Sequence, residues 1–185
     1  MNDITCRPAT ENDIEGILSL QERYLFANMT EADKVNGFVT TPFTVQQIKT
    51  LIDDSSAFVV TLPSDEVIGY TYAGTWDFFS QWAIFPYMVS RLPQLSYEGH
   101  QLTPQNTFQY GPICIDLAHR GNGIFQDLFE TMRTAMSHRF PVGITFINKI
   151  NERSYRAHTQ KLEMSVIDEF GFNKNHYYGL AFLTK

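Results

Sequence analysis

The feature that most constrains the fold is residues 110–125, which have the pattern of a buried strand, a glycine-bearing turn and a helix start. The first amides of a helix have no partner within it, and the helix dipole makes this end positive, so phosphate binds there readily. Gly121 and Gly123 would let the backbone approach a bulky anion, because neither carries a Cβ. Arg120 would add a positive charge at the rim of the turn. The stretch therefore predicts a site for a cofactor that carries a pyrophosphate.

Two common phosphate-binding motifs are excluded. No Walker loop is present, and Gln126 stands where the dinucleotide motif Gly-x-Gly-x-x-Gly needs its third glycine. The turn RGNGIF instead resembles the acyl-CoA loop Arg/Gln-x-x-Gly-x-Gly/Ala of the GNAT superfamily of N-acetyltransferases, with Phe125 in place of a small residue. This resemblance implies acetyl-CoA as co-substrate. Its contacts would come from the loop residues Arg120, Gly121, Asn122, Gly123, Ile124 and Phe125.

The order of predicted elements agrees with this resemblance. Strands are predicted over 4–6, 57–61, 67–73, 108–117, 142–147, 166–172 and 176–183. Helices are predicted after the caps Thr10 and Thr44, over 124–136, and from Asn151. This is the GNAT order, an α/β (α+β) fold. It implies a mixed, mostly antiparallel sheet of about seven strands flanked by about four helices, with a helical, aromatic insert between strands 3 and 4.

Apolar spacing also predicts which helix faces are buried. The inner face of the first helix is expected to carry Ile14, Ile17, Leu18, Gln21 and Leu25. The second is expected to bury Val45, Ile48, Leu51 and Ile52, and the third Ile124, Leu128, Phe129, Met132 and Met136.

Length and composition favour one globular domain over residues 1–185, since 185 residues allow a single sizeable core. The net charge of −6, without a Lys/Arg cluster, argues against a nucleic-acid partner and is compatible with a cationic amine. Two cysteines form no disulfide framework and no signal peptide is visible, so we expect a cytoplasmic protein. The apolar run 78–89 is shorter than the roughly 20 residues that span a bilayer, so no membrane association is expected. No metal-ligand spacing occurs.

Acetyl transfer to an amine needs a base for the amine, a stabilised carbonyl oxygen and a proton for the departing thiolate. The resemblance implies that the central strand serves the thioester through its backbone, with Ile115 at the thioester and Leu117 nearer the pantetheine. Pro112 supports an irregular strand, because proline cannot donate in a central ladder. Cys114 would be inert, because it lies in a buried apolar strand.

The segment after strand 142–147 carries the remaining candidates. The resemblance implies that Asn151 hydrogen-bonds the pantetheine amide, with Ser154 one turn further on. His158 occupies the usual tyrosine position and would be the catalytic residue, as proton donor to the thiolate or hydrogen-bonded to the sulfur. Tyr155 and Leu162 share its helical face, so His158 is expected to point inward. The alternative is a core histidine satisfied by a backbone carbonyl.

The general base and the acceptor remain open. Tyr110, His119, Glu98 and His100 are candidates for the base, and a water relay is the alternative. The aromatic insert 76–88 could line an acceptor pocket, form a homodimer interface or pack on the core. The leading hypothesis is direct transfer, in a ternary complex, from acetyl-CoA to a primary amine of a small molecule. Acetylation of a protein or peptide amine, and a non-catalytic acyl-CoA-binding regulatory module, are the alternatives.

Overall fold

The computed structural model describes residues 4–185. Within that range the strands are β1 Thr5–Pro8, β2 Ala57–Thr61, β3 Val67–Gly74, β4 Ser96–Tyr97, β5 His100–Gln101, β6 Thr107–Ile115, β7 Val142–Asn148, β8 Ser165–Phe172 and β9 Asn175–Leu183. The α-helices of the same range are α1 Ile14–Tyr24, α2 Glu31–Lys34, α3 Val45–Asp53, α4 Trp76–Phe79, α5 Ile84–Arg91, α6 Ile124–Met136 and α7 Glu152–Arg156.

The main sheet of the described residues has seven strands in the order β1-β2-β3-β6-β7-β9-β8. The pairs β1/β2, β2/β3, β7/β9 and β8/β9 are antiparallel, and β6/β7 is parallel. This arrangement confirms the predicted mixed, mostly antiparallel sheet. The helices outnumber the expected four because the insert folds into α4 and α5, and because Thr30 caps the short α2 by accepting from the Asp33 N–H at 3.2 Å.

The chain divides into two compact units, and its assignment to a single domain stays a prediction. The first unit comprises Met1–Tyr72 and Gly111–Ala135, and the second comprises Ala73–Tyr110 and Met136–Lys185. No helix of residues 4–185 is long and apolar enough to cross a bilayer.

In the first unit, the buried face of α1 differs from the predicted one. Ile17, Leu20, Gln21 and Tyr24 are buried, whereas Leu18 is only half-buried. Ile17 and Gln21 match the prediction, but Ile14 is only half-buried and Leu25 lies beyond the end of α1. The buried stripe runs instead through Leu20 and Tyr24, still at a spacing of three and four.

The remaining helix predictions gave mixed outcomes. In α3, Ile48 and Leu51 are buried as expected, but Val45 lies in the first turn and is 54% exposed. The stripe predicted for α6 is confirmed, because all of its members are buried: Ile124, Leu128, Phe129, Met132 and Met136.

In the second unit, the insert packs on strands of the same unit. The Phe85 ring of α5 lies 5.5 Å from the Phe146 ring of β7, in edge-to-face geometry. The guanidinium of Arg91 donates two hydrogen bonds, each of 2.6 Å, to the carboxylate of Asp168 on β8. Of the three interpretations of the insert, these contacts favour packing on the core.

The strands of the second unit end close to the predicted positions. The parallel pairing of β6 with β7 joins Thr107–Gln109 to Val142–Ile144, while β9 pairs with β7 as far as Asn148. The predicted strands 166–172 and 176–183 form β8 and β9, which pair as a hairpin with a two-residue turn at Asn173 and Lys174. Both turn residues have positive φ, 45° and 62°, as in a type I′ turn.

Candidate active site

The predicted cofactor loop lies in the first unit and has the backbone that its glycines suggested. Gly121 and Gly123 have φ of 101° and 82°, a conformation that side chains with a Cβ rarely adopt, and the 13-residue helix α6 begins directly afterwards. A Cβ added at Gly121 would have no heavy atom of residues 4–185 within 4 Å. The glycines are therefore required by backbone conformation, and the space in front of the turn is open.

The side chains of the loop vary in exposure. Asn122 is exposed, Phe125 is half-buried and Ile124 is buried in the core. Ile115, the last residue of β6, is also buried. Leu117 lies outside the strand, contrary to the predicted bounds, in a 3-10 turn over Leu117–His119, and is 46% exposed.

Arg120 is placed differently from the expected position at the rim. Its Nε donates to the carbonyl of Ile115 at 2.8 Å, and its Nη1 donates to the carbonyl of Asn36. The guanidinium carbon lies 5.4 Å from the centroid of the Tyr24 ring. The guanidinium therefore joins three separate segments of the first unit.

The turn before Arg120 is held by the end of α1. Asp116 caps the turn by accepting from the Ala118 N–H at 2.9 Å, and it also accepts from Arg23. The Leu117 N–H donates to the Tyr24 hydroxyl at 2.7 Å. Sequence reasoning missed Arg23, Tyr24 and Asn36, because no local motif marks residues that contact a loop more than eighty positions away.

Cys114 is buried in β6 beside this loop. Burial raises the pKa of its thiol to about 12, and the nearby Arg120 offsets part of that rise. At neutral pH the thiolate is a negligible fraction, which supports the prediction that this cysteine is inert.

The second group of candidates lies in the second unit, at the start of α7. Asn151 is buried and caps α7: its Oδ1 accepts a hydrogen bond of 3.2 Å from the backbone N–H of Ser154. The Ser154 residue is half-buried. After Arg156 the helix continues as a π-helical turn over Ala157–Lys161, which contains His158. His158 points inward, as predicted, with only 4% of its surface exposed.

The hydrogen bonds of His158 determine its tautomer. Nδ1 lies 2.7 Å from the Ser154 carbonyl, which can only accept, so Nδ1 carries the proton. In the neutral ring Nε2 is then an acceptor, and the Tyr110 hydroxyl, 3.3 Å away, donates to it. Burial lowers the pKa of His158 to about 4, an effect partly offset by the bond to the Ser154 carbonyl. The imidazole is therefore neutral at physiological pH.

This arrangement matches the core-histidine alternative better than the proton-donor role. The one ring N–H is directed at the backbone, and the hydroxyl that faces Nε2 belongs to Tyr110, whose pKa burial raises well above its usual value. The catalytic role of His158 stays a prediction.

The remaining base candidates lie elsewhere. Glu98 is exposed at the tip of the β4–β5 hairpin, with φ of 46°. His100 lines a cavity of about 400 Å³ together with Phe140, Pro141 and Leu183, and neither Tyr110 nor His158 lines it. His119 lies in the 3-10 turn of the first unit. In residues 4–185, no group of three His, Cys, Asp or Glu side chains could hold a metal ion.

No family model matches the chain, and no curated protein sequence matches it. Solved structures do match over nearly its whole length. An N-acetyltransferase from Staphylococcus aureus Mu50 aligns with 99% of both chains at 18% identity and a TM-score of 0.62. The chain has the GNAT fold.

Two further proteins with this fold are named for different classes of acceptor. One is a GNAT superfamily phosphinothricin acetyltransferase from Sinorhizobium meliloti in complex with acetyl-CoA. The alignment covers 97% of this chain and 88% of that protein's chain, at 16% identity and a TM-score of 0.63. The other is a ribosomal-protein-alanine N-acetyltransferase from Brucella melitensis. The alignment covers 97% of this chain and 99% of that protein's chain, at 17% identity and a TM-score of 0.60.

Proposed function

We propose that this protein is an acetyl-CoA-dependent N-acetyltransferase that acetylates a primary amine of a small molecule. One observation carries the proposal: within a GNAT fold, two glycines of positive φ lead directly into the N-terminus of the 13-residue helix α6. The first amides of such a helix are oriented for phosphate, and in the part of the chain that the structure describes no heavy atom lies within 4 Å of a Cβ placed at Gly121.

The chain's own groups divide the binding of the substrate among them. The backbone N–H groups of residues 121–124 would hold the pyrophosphate. The pantetheine contacts of Asn151 and Ser154 stay predictions from the family resemblance. The backbone at Ile115 would face the thioester. The N–H of Leu117 is engaged by Tyr24, so Leu117 would contact the pantetheine through its exposed side chain.

The proposed reaction is direct. Acetyl-CoA, when bound, supplies a thioester whose carbonyl carbon accepts the amine nitrogen as the C–S bond breaks, and the sulfur keeps the bonding electron pair. Cys114 does not take part, because the high pKa of its thiol leaves almost no thiolate to attack. Water would take the amine proton and return one to the thiolate, because the N–H of His158 is already directed at a carbonyl.

A small cationic amine is the favoured acceptor, since the chain carries a net charge of −6. A protein or peptide amine is the second candidate, because one protein of this fold is named for a ribosomal-protein alanine. Thiol release from acetyl-CoA, measured with a panel of small amines and with unstructured peptides bearing free N-termini, separates the two. Turnover on peptides alone would overturn the small-molecule assignment. Binding without turnover on any acceptor would favour an acyl-CoA-binding module.

A charge placed in the loop tests the cofactor assignment itself. Gly123→Glu should abolish CoA binding in calorimetry, because it sets a carboxylate and a bulky side chain where the pyrophosphate would lie. Gly99→Glu is the matched control. Gly99 also has positive φ (79°), and no described heavy atom lies within 4 Å of its Cβ position, but it lies in the β4–β5 hairpin, so CoA binding should be unchanged. Undiminished affinity in Gly123→Glu would refute the assignment.

A further inference from the structure

The end of helix α1 makes three separate contacts, one with Arg120 of the cofactor loop and two with the turn that precedes it. The Tyr24 hydroxyl accepts from the Leu117 N–H at 2.7 Å, and the Tyr24 ring lies under the guanidinium of Arg120. Arg23, the preceding residue, pairs with Asp116, which caps the turn. These contacts hold the loop at its first residues.

Tyr24 is itself fixed in position. It is the last residue of α1 and is buried, and its carbonyl accepts from the Val39 N–H at 3.0 Å. The segment between them, which contains α2, is closed by a bridge between Leu25 and Val39 and contacts Arg120 through the Asn36 carbonyl. The support of the loop is therefore anchored in a buried helix end.

We propose that Tyr24 is a positioning residue for the cofactor loop, and that Arg120 acts with it by fixing the loop rather than by pairing with the pyrophosphate. This inference rests on the proposed function. The loop's own amides bind the anion, and they do so only when the turn that precedes them is held. The hydroxyl of Tyr24 holds that turn through Leu117, and the two carbonyl contacts of Arg120 hold its other end.

Tyr24→Phe tests the first part, because it removes the hydroxyl and keeps the ring. Loss of the acceptor for a backbone N–H should weaken CoA binding by about tenfold, measured by calorimetry. Amide hydrogen exchange should become faster in residues 117–125 and stay unchanged in the rest of the chain. Tyr70→Phe is the matched control. Among residues 4–185 the buried Tyr70 hydroxyl has no hydrogen-bond partner, so its removal should change neither measurement.

Arg120→Lys tests the second part. Lysine keeps the charge but cannot reach two carbonyls with a planar fork, so we again expect about tenfold weaker CoA binding. In the CoA-free protein, amide exchange in residues 117–125 should also become faster in Arg120→Lys, because the two carbonyl contacts are lost. If Arg120 paired with the pyrophosphate instead, Arg120→Lys would weaken CoA binding but leave that exchange unchanged, because only contacts to the ligand would be lost. That result would overturn the role assigned to Arg120.

The two hypotheses fail in different ways. If the wild-type protein does not bind CoA, the proposed function is wrong, and hydrogen exchange alone then decides whether Tyr24 holds the loop. If the wild-type protein binds CoA and Tyr24→Phe binds it equally well, the positioning role of Tyr24 is wrong and the proposed function stands. Unchanged exchange in residues 117–125 of Tyr24→Phe would also overturn that role.

Discussion

The buried imidazole of His158 should make the protein lose stability as the pH falls. Its ordinary pKa is 6.5, and burial lowers the folded-state pKa to about 4. Between these two values the unfolded chain binds a proton that the folded protein does not, so acid favours unfolding. The contribution is fully present above pH 6.5 and is lost as the pH falls towards the folded-state pKa.

The size of the effect follows from the same two values. At about 1.36 kcal/mol for each pKa unit, a fall from 6.5 to about 4 corresponds to roughly 3 kcal/mol. About 2 kcal/mol of this should be lost by pH 5, before most carboxylates titrate. Because whole domains have only about 5–15 kcal/mol of stability, the change is well within measurement.

Urea unfolding of wild type and His158→Gln at several pH values between 5 and 7.5 provides the assay. The difference in the free energy of unfolding between them should shrink by about 2 kcal/mol over that range, because glutamine does not titrate. His138→Gln, which removes an exposed imidazole, controls for the loss of a histidine as such. Parallel pH profiles for wild type and His158→Gln would refute the reasoning, as would a ring ¹⁵N shift that places the proton on Nε2.

Two further predictions follow from buried groups. Native protein should resist Ellman's reagent at pH 8, because the pKa of Cys6 is raised to about 11 and that of Cys114 to about 12. Both thiols should react once urea unfolds the chain. Rapid labelling of the native protein would contradict this prediction. Gly143→Ala should cost about 1–3 kcal/mol in urea unfolding, because the new Cβ would lie 2.1 Å from Phe182 Cζ and that ring is flanked by two other aromatic rings. In Gly171→Ala the nearest heavy atom is 3.7 Å away, so that variant should stay close to wild type, and equal losses in the two variants would show that the contact with Phe182 is not the cause.

Much of the fold could be predicted from the sequence, because it depends on neighbours along the chain. The spacing of apolar residues predicted α6 and its buried stripe, and the glycines at 121 and 123 predicted a turn, which the structure forms with positive φ at both. The strands predicted over 166–172 and 176–183, which form β8 and β9, followed from similar local preferences. In each case the decisive interaction lies within a few residues, where periodicity and backbone preference act directly.

The contacts that define the candidate site depended on tertiary structure. The side chain of Arg120 turns to the carbonyl of Asn36, 84 positions away, and the Leu117 N–H meets the hydroxyl of Tyr24, 93 positions away. The neutral tautomer of His158 likewise follows from its burial and from Tyr110, 48 positions away. The sequence motifs predicted which residues form the loop and which candidates lie at the start of α7. The hydrogen-bond partner of each side chain depends on tertiary packing. A buried donor or acceptor bonds to the group that folding brings within about 3 Å, whatever the position of that group in the sequence.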